Sequence, residues 1–139
     1  MTKPVKVVGI VSALGSVVVG IHMAAAHHAT TMFDHSKTLT INGVVTEVRW
    51  VNPHVSLWVR GTIKDGEEPA VWALESTSPG NLVRRGWTRA TLKPGDKVVV
   101  EMSPLRESDK KGGAVKKVTV VDTGLSFQSN VRDEAPGGE

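Results

Sequence analysis

The segment that decides the fold of this chain is Thr38–Trp50, which reads TLTINGVVTEVRW. Leu39 and Ile41 alternate with polar residues, as in a strand that buries one face. Beyond Asn42-Gly43 the alternation changes phase, and the apolar or β-branched residues occupy the even positions. A glycine inside a strand marks a bulge or a bend. We therefore predict one long first strand that bends at Asn42-Gly43.

Four further strands are predicted downstream, at His54–Gly61, Pro69–Ser76, Lys97–Met102 and Val115–Val121. The turns between them include Lys64-Asp65-Gly66-Glu67 and Lys93-Pro94-Gly95-Asp96, and a flexible loop, Ser108–Gly113, precedes the fifth strand. A turn centred on Asp65-Gly66 pairs residues of the second and third strands whose numbers sum to about 131. This register places Val55, Leu57 and Val59 with Trp72 and Leu74 on one buried face.

A short helix is predicted between the third and fourth strands. Ser78 suits the N-cap and Pro79 the first helical position. Leu82 and Val83 form its expected buried side, and Gly86 suits the left-handed residue that ends a helix. This order of elements predicts a mainly β fold, a small five-stranded OB-like barrel with one short helix between strands 3 and 4. A short sandwich is the alternative.

The first 26 residues have the pattern of a secretion signal. Lys3 and Lys6 precede an apolar run over residues 7–20, and Ala24-Ala25-Ala26 provides a small-residue cleavage site. An uncleaved anchor is the alternative, but the run is shorter than the roughly 20 apolar residues that a span needs. We expect a signal at 1–26, an N-terminal arm at 27–37, the barrel at 38–125 and a flexible tail at 126–139. The expected location is periplasmic or secreted, with no stable membrane anchor.

Charge and cysteine content restrict the function. Loss of Lys3 and Lys6 reduces the 17 basic residues to 15 against 14 acidic ones, a net charge of about +1. Such a domain lacks the basic surface that nucleic-acid binding requires. The absence of cysteine excludes disulfides and thiolate chemistry. No nucleophile elbow or phosphate-binding loop is present, so we expect a binding protein and not an enzyme.

Five motifs together suggest a family. They are Trp-Val-Asn-Pro-His at residues 50–54, Trp72 with Glu75, Ser78-Pro79, Arg-Arg-Gly-Trp at 84–87 and Leu-Lys-Pro-Gly-Asp at 92–96. They resemble a family of small exported bacterial proteins of unknown function with a Trp-x-Asn-Pro-His motif. The resemblance covers about residues 27–124 and implies export and a small β-barrel, with no activity. A weaker, fold-level likeness is to the periplasmic copper chaperone of the Cus efflux system. Its closely spaced Met-x-Met pair is missing here, so its copper site is not carried over.

Histidines near the new N-terminus form the first candidate site. Cleavage after Ala26 makes His27 the terminal residue, whose α-amine and imidazole chelate one copper ion together with His28 or His35. Cleavage one residue earlier places His28 third from the amine, a spacing suited to square-planar copper(II). Copper is thus the candidate cofactor, and a cleavage remnant without function is the alternative.

The outer face of the second and third strands is the second candidate site. The predicted register places His54 near Glu75 and Trp58 there, and we group Trp50 with them as ligand-binding residues. The expected ligand is a periplasmic partner protein or a small molecule, and a purely structural role of His54 in capping the Asn52-Pro53 turn is the alternative. A first strand of about twelve residues spans about 40 Å, which would separate His54 from the N-terminal arm.

Overall fold

The computed structural model describes residues 32–107 and 109–129, which form six strands and one helix. The strands are β1 (Leu39–Arg49), β2 (Ser56–Thr62), β3 (Ala70–Glu75), β4 (Lys97–Pro104), β5 (Gly112–Val120) and β6 (Ser126–Gln128). The helix α1 (Pro79–Arg84) lies between β3 and β4. These elements confirm the predicted strand order and the position of the helix.

The strands close into a barrel. They lie in the order β3-β2-β1-β4-β5, and β3 also pairs with β5 in parallel over Ala73–Glu75. The remaining neighbours within the barrel are antiparallel. The predicted five-stranded OB-like barrel is therefore confirmed. β6 pairs with Lys117–Thr119 of β5, so β3 and β6 cover successive parts of one strand edge.

The first strand bends, but the bulge lies further along the chain than predicted. The register between β1 and β2 shifts between Val45 and Glu47, so the predicted bulge at Asn42-Gly43 is wrong. Val45 is buried and Val44 is exposed, which reverses the predicted phase. The cause is a distant turn, because the Val45 backbone bonds both Gly95 N and Asp96 O.

The predicted register of β2 and β3 is confirmed at every pair, from Ser56–Glu75 to Val59–Trp72. The side chains that alternate inward on these two strands join the barrel core, which comprises chiefly valine, leucine and isoleucine with Trp72 and Trp87. Their neighbours in sequence consequently face outward, and this alternation sets the composition of the outer face.

The helix begins and ends as predicted but buries one residue less. The Ser78 hydroxyl accepts a hydrogen bond from Asn81 N at 3.3 Å, which confirms Ser78 as the N-cap. Gly86 has φ of 87°, which confirms it as the residue that ends the helix. Leu82 is fully buried, whereas Val83 is 58% exposed and the prediction of its burial is wrong. Adjacent helical positions point about 100° apart, so a helix that buries Leu82 turns Val83 toward solvent.

The segment predicted as a tail begins with ordered structure. Ser126–Gln128 forms β6, and the Phe127 ring lies 5.5 Å from the Trp87 ring. Trp87 Nε1 also donates to Gln128 O at 2.9 Å. Trp87, three residues after the end of α1, thus anchors β6. The rest of the expected tail lies outside the described residues. Likewise β5 begins at Gly112, inside the segment predicted as a flexible loop.

Candidate functional site

His54 and Glu75 contact each other at one end of the outer barrel surface. The pairing of Ser56 with Glu75, extended by the hydrogen bond from Ser76 N to Val55 O, brings the start of β2 beside the end of β3. His54 Nδ1 lies 2.5 Å from Glu75 Oε1, and both side chains are partly exposed. The structure therefore brings together the two residues that the register placed side by side.

This contact fixes how the imidazole is presented. A carboxylate accepts hydrogen bonds only, so Nδ1 of His54 must carry the proton that points at Glu75. In the neutral imidazole, Nε2 is then the unprotonated nitrogen, able to accept a hydrogen bond or bind a metal. A histidine held in this way by a carboxylate is the arrangement found behind many metal-binding imidazoles.

Aromatic and charged groups surround the pair. Trp58 faces outward from β2, and the Arg49 guanidinium lies 5.0 Å from its ring centroid. Arg49 also pairs with Glu47 at 2.9 Å. Val71 lies on the outward side of β3 and is 48% exposed. We call the surface formed by His54, Trp58, Val71 and Glu75 the His54 face. It combines apolar area with charges of both signs.

Trp50 does not belong to the His54 face. Its partly buried side chain packs against the barrel core and lines a narrow apolar crevice with Trp87 and Leu92. The bulge explains the difference from the prediction, because the phase of β1 changes at residues 45–47 and turns Trp50 toward the interior.

The N-terminal histidines fall mostly outside the described residues. His27 and His28 lie outside the described residues. His35 packs edge-on against the buried Phe33 ring, with the ring centroids 6.1 Å apart. Within residues 32–107 and 109–129, no three His, Cys, Asp or Glu side chains are grouped as a metal site. His35 therefore belongs to no group of three or more such side chains in that part of the chain.

A cleft beside Trp72 was not predicted. It has a volume of about 350 Å³ and lies between the arm, the end of β4 and the connection to β5. Lys111 contributes to its rim, with Nζ 5.0 Å from the Trp72 ring centroid. We call it the arm cleft. The adjacent Lys110 and Lys111 are a weak sequence signal for it, because its walls come from segments far apart in the chain.

Comparison with known proteins gives a family and no function. Among the described residues, no helix has the length and apolar content needed to cross a membrane. The chain matches none of the curated proteins and none of the solved structures compared with it. A family model does match, over residues 13–115, which include β1 to β4 and the start of β5. The chain therefore belongs to the family of unknown function DUF6152.

Proposed function

We propose that this chain is an exported, non-catalytic binding protein that docks a periplasmic partner protein on its His54 face. The contact between His54 Nδ1 and Glu75 Oε1 carries the proposal, because it holds a polar pair in a fixed orientation on an accessible surface. OB-folds commonly bind ligands on strands 2 and 3 and the adjoining loop between strands 1 and 2, and this fold-level analogy supports the same location here.

The composition of the face favours a protein partner. Trp and Arg are enriched among the residues that contribute most to protein interfaces, and here Trp58 lies beneath Arg49. Carboxylates at Glu47 and Glu75 balance the cations, so the surface has no strong preference for polyanions. Val71 adds exposed apolar area on the same side of β3, four residues before Glu75. Export supports a partner of the same compartment.

Site-specific cross-linking in cells tests this proposal. A photo-reactive residue at position 71 lies on the His54 face, while Val121, exposed to a similar degree after β5, is the matched control position. We expect a protein adduct from position 71 and none from 121. His54→Ala should abolish the adduct without unfolding the protein, because an exposed ion pair contributes only about 0–1 kcal/mol to stability. An adduct that persists in folded His54→Ala protein would contradict the proposal.

Copper binding by the mature N-terminus is the second candidate function. The arm is anchored by hydrogen bonds from Asp34 N to Pro104 O and from Arg106 N to Met32 O. We propose that His27, His28 and His35 bind copper(II) once His27 is the terminal residue. The N-terminal amine and the imidazoles carry this proposal, because the likeness to the Cus copper chaperone does not extend to its copper site.

Closure of the barrel favours this second candidate, because it shortens the path from the arm to β3. Phe33 bridges to Leu105, Leu105 N bonds Gly112 O, and Gly112 pairs with Ala73. These three interstrand spacings, of about 5 Å each, place Phe33 about 15 Å from Ala73, compared with about 40 Å along the length of β1. His28 precedes Phe33 by five residues, an extended reach of about 17 Å. The distance from Phe33 to β3 is therefore no greater than the extended length of the five residues from His28 to Phe33, which supports testing whether His54 shares the copper site.

Metal content and N-terminal mass, measured on untagged protein purified from the periplasm, test the copper proposal. One copper per chain with His27 at the terminus is the expected result. Loss of copper in His27→Ala and His28→Ala, but not in a Lys97→Ala control, would assign it to the arm. Absence of copper after loading and a wash with a weak chelator would refute it. His54→Ala distinguishes a shared site, in which copper is also lost, from an arm-only site.

A further inference from the structure

The arm cleft has the size of a small-molecule site and one apolar wall. Its volume of about 350 Å³ lies within the range of 300–1,000 Å³ typical of ligand pockets. Leu39, Ile63, Trp72 and Leu105 supply apolar surface from four different segments of the chain. A ligand that fills this space therefore needs an apolar body.

The rim of the cleft is positively charged. It carries four cationic side chains, Lys37, Arg106, Lys110 and Lys111, against the single carboxylate of Asp34. Two of the lysines have local acidic partners, since Lys37 lies 3.2 Å from Asp34 and Lys110 lies 2.6 Å from Glu107. Lys111 differs from them, because it forms no ion pair within the described part of the chain. Its ammonium group lies against the Trp72 ring, at the boundary between the apolar wall and the rim.

The walls of the cleft are closely packed and held by backbone hydrogen bonds. Asp34 N bonds Pro104 O at 2.8 Å, and Leu105 N bonds Gly112 O at 3.2 Å. A Cβ at Gly112 would lie 2.8 Å from Leu105 Cδ1 and 3.0 Å from Ala73 O, so the end of the β4–β5 connection packs directly on β3. A preformed cleft binds a ligand without a large ordering cost.

We propose that the arm cleft binds a small organic carboxylate with an apolar body, such as a medium-chain or aryl carboxylate. The carboxylate pairs with the Lys111 ammonium, and the apolar body lies along Trp72 and the leucine side chains. This site is separate from the His54 face and needs neither copper nor a protein partner. The loop between strands 4 and 5 is also one of the two loops with which OB-folds bind ligands.

Titration with four probes separates the two features of this ligand. Octanoate carries both the charge and the apolar body, 1-octanol lacks the charge, acetate lacks the body, and octylammonium inverts the charge. Binding is followed by calorimetry and by the indole N–H signal of Trp72, which donates to Gly61 O. The protein is used as it is purified from the periplasm. We expect saturable binding of octanoate alone, with the Trp72 signal shifting and that of Trp50 unchanged.

Lys111→Gln tests the assigned counter-ion and retains most of the side-chain length. We expect it to weaken octanoate binding about tenfold, the effect of losing one charge-assisted hydrogen bond. Lys97→Gln, an exposed lysine on β4 outside the cleft, should leave the affinity unchanged. Octanoate affinity that is unaffected by Lys111→Gln, or equal binding of 1-octanol, would overturn the proposal. So would equal binding of acetate, because the apolar wall would then have no role.

Discussion

Replacement of Gly43 by alanine tests the close approach of β1 and β2. Gly43 and Gly61 face each other in the ladder. A Cβ at Gly43 would lie 2.5 Å from Arg60 O and 2.9 Å from Gly61 Cα. Both contacts are with backbone atoms, so no side-chain rotation relieves them and the strands must separate. We expect Gly43→Ala to lower the free energy of unfolding by about 2–3 kcal/mol, the upper part of the range for overpacked sites.

The same substitution at Gly80 is the matched control. A Cβ there would meet only the flexible Arg84 side chain, at 3.9 Å. Gly80→Ala in α1 should therefore raise the free energy of unfolding by about 0.5 kcal/mol through helix propensity. Urea denaturation followed by tryptophan fluorescence measures both variants, and an unchanged m-value shows that the denatured state is the same. Gly43→Ala stability within about 0.5 kcal/mol of wild type would refute the steric argument, since overpacking costs more than that.

Two further predictions concern the helix and the turn before β4. Leu82→Ala should lower the free energy of unfolding by about 2–5 kcal/mol because Leu82 is fully buried, while Val83→Ala at the neighbouring exposed position should change it by less than about 0.5 kcal/mol in the same denaturation assay. The hydrogen bond from Lys93 lowers the pKa of Asp96 below its ordinary value of 3.8, so the charged carboxylate stabilises the fold. The stability difference between wild type and Asp96→Asn should therefore be complete at pH 7 and shrink as the pH falls below about 4 through that lowered pKa; a difference that stays constant down to pH 2 would contradict the assignment.

The sequence predicts those parts of the fold that depend on local pattern. The β2–β3 register follows from the Asp65-Gly66 turn together with the apolar alternation, and it placed His54 beside Glu75 correctly. The bulge in β1 was misplaced because Val44 and Val45 are equally suited to burial. What decides between them is a pair of backbone hydrogen bonds with a turn about fifty residues away, in which Val45 N donates to Asp96 O and Val45 O accepts from Gly95 N.

Other features depend on tertiary contacts that leave little trace in local sequence. β6 is short and polar, and it forms because Phe127 packs on Trp87 while its backbone pairs with β5. The arm cleft is assembled from the arm, β3 and the β4–β5 connection, which meet only when the barrel closes. No periodicity within one segment encodes such a meeting.

The seam between β3 and β5 explains why both candidate sites adjoin the same strand. Parallel pairing covers only Ala73–Glu75, so β3 is joined to β5 at its end and diverges from it at its start. At the joined end, Glu75 is held in place and fixes the His54 imidazole on the outer face. At the diverging end, Trp72 borders the arm cleft and Lys111 lies over its ring. The two surfaces lie on the same strand but have no side chain in common, so the two substitutions should act independently. Lys111→Gln should weaken octanoate binding and leave the protein adduct unchanged, and His54→Ala should abolish the adduct and leave octanoate binding unchanged.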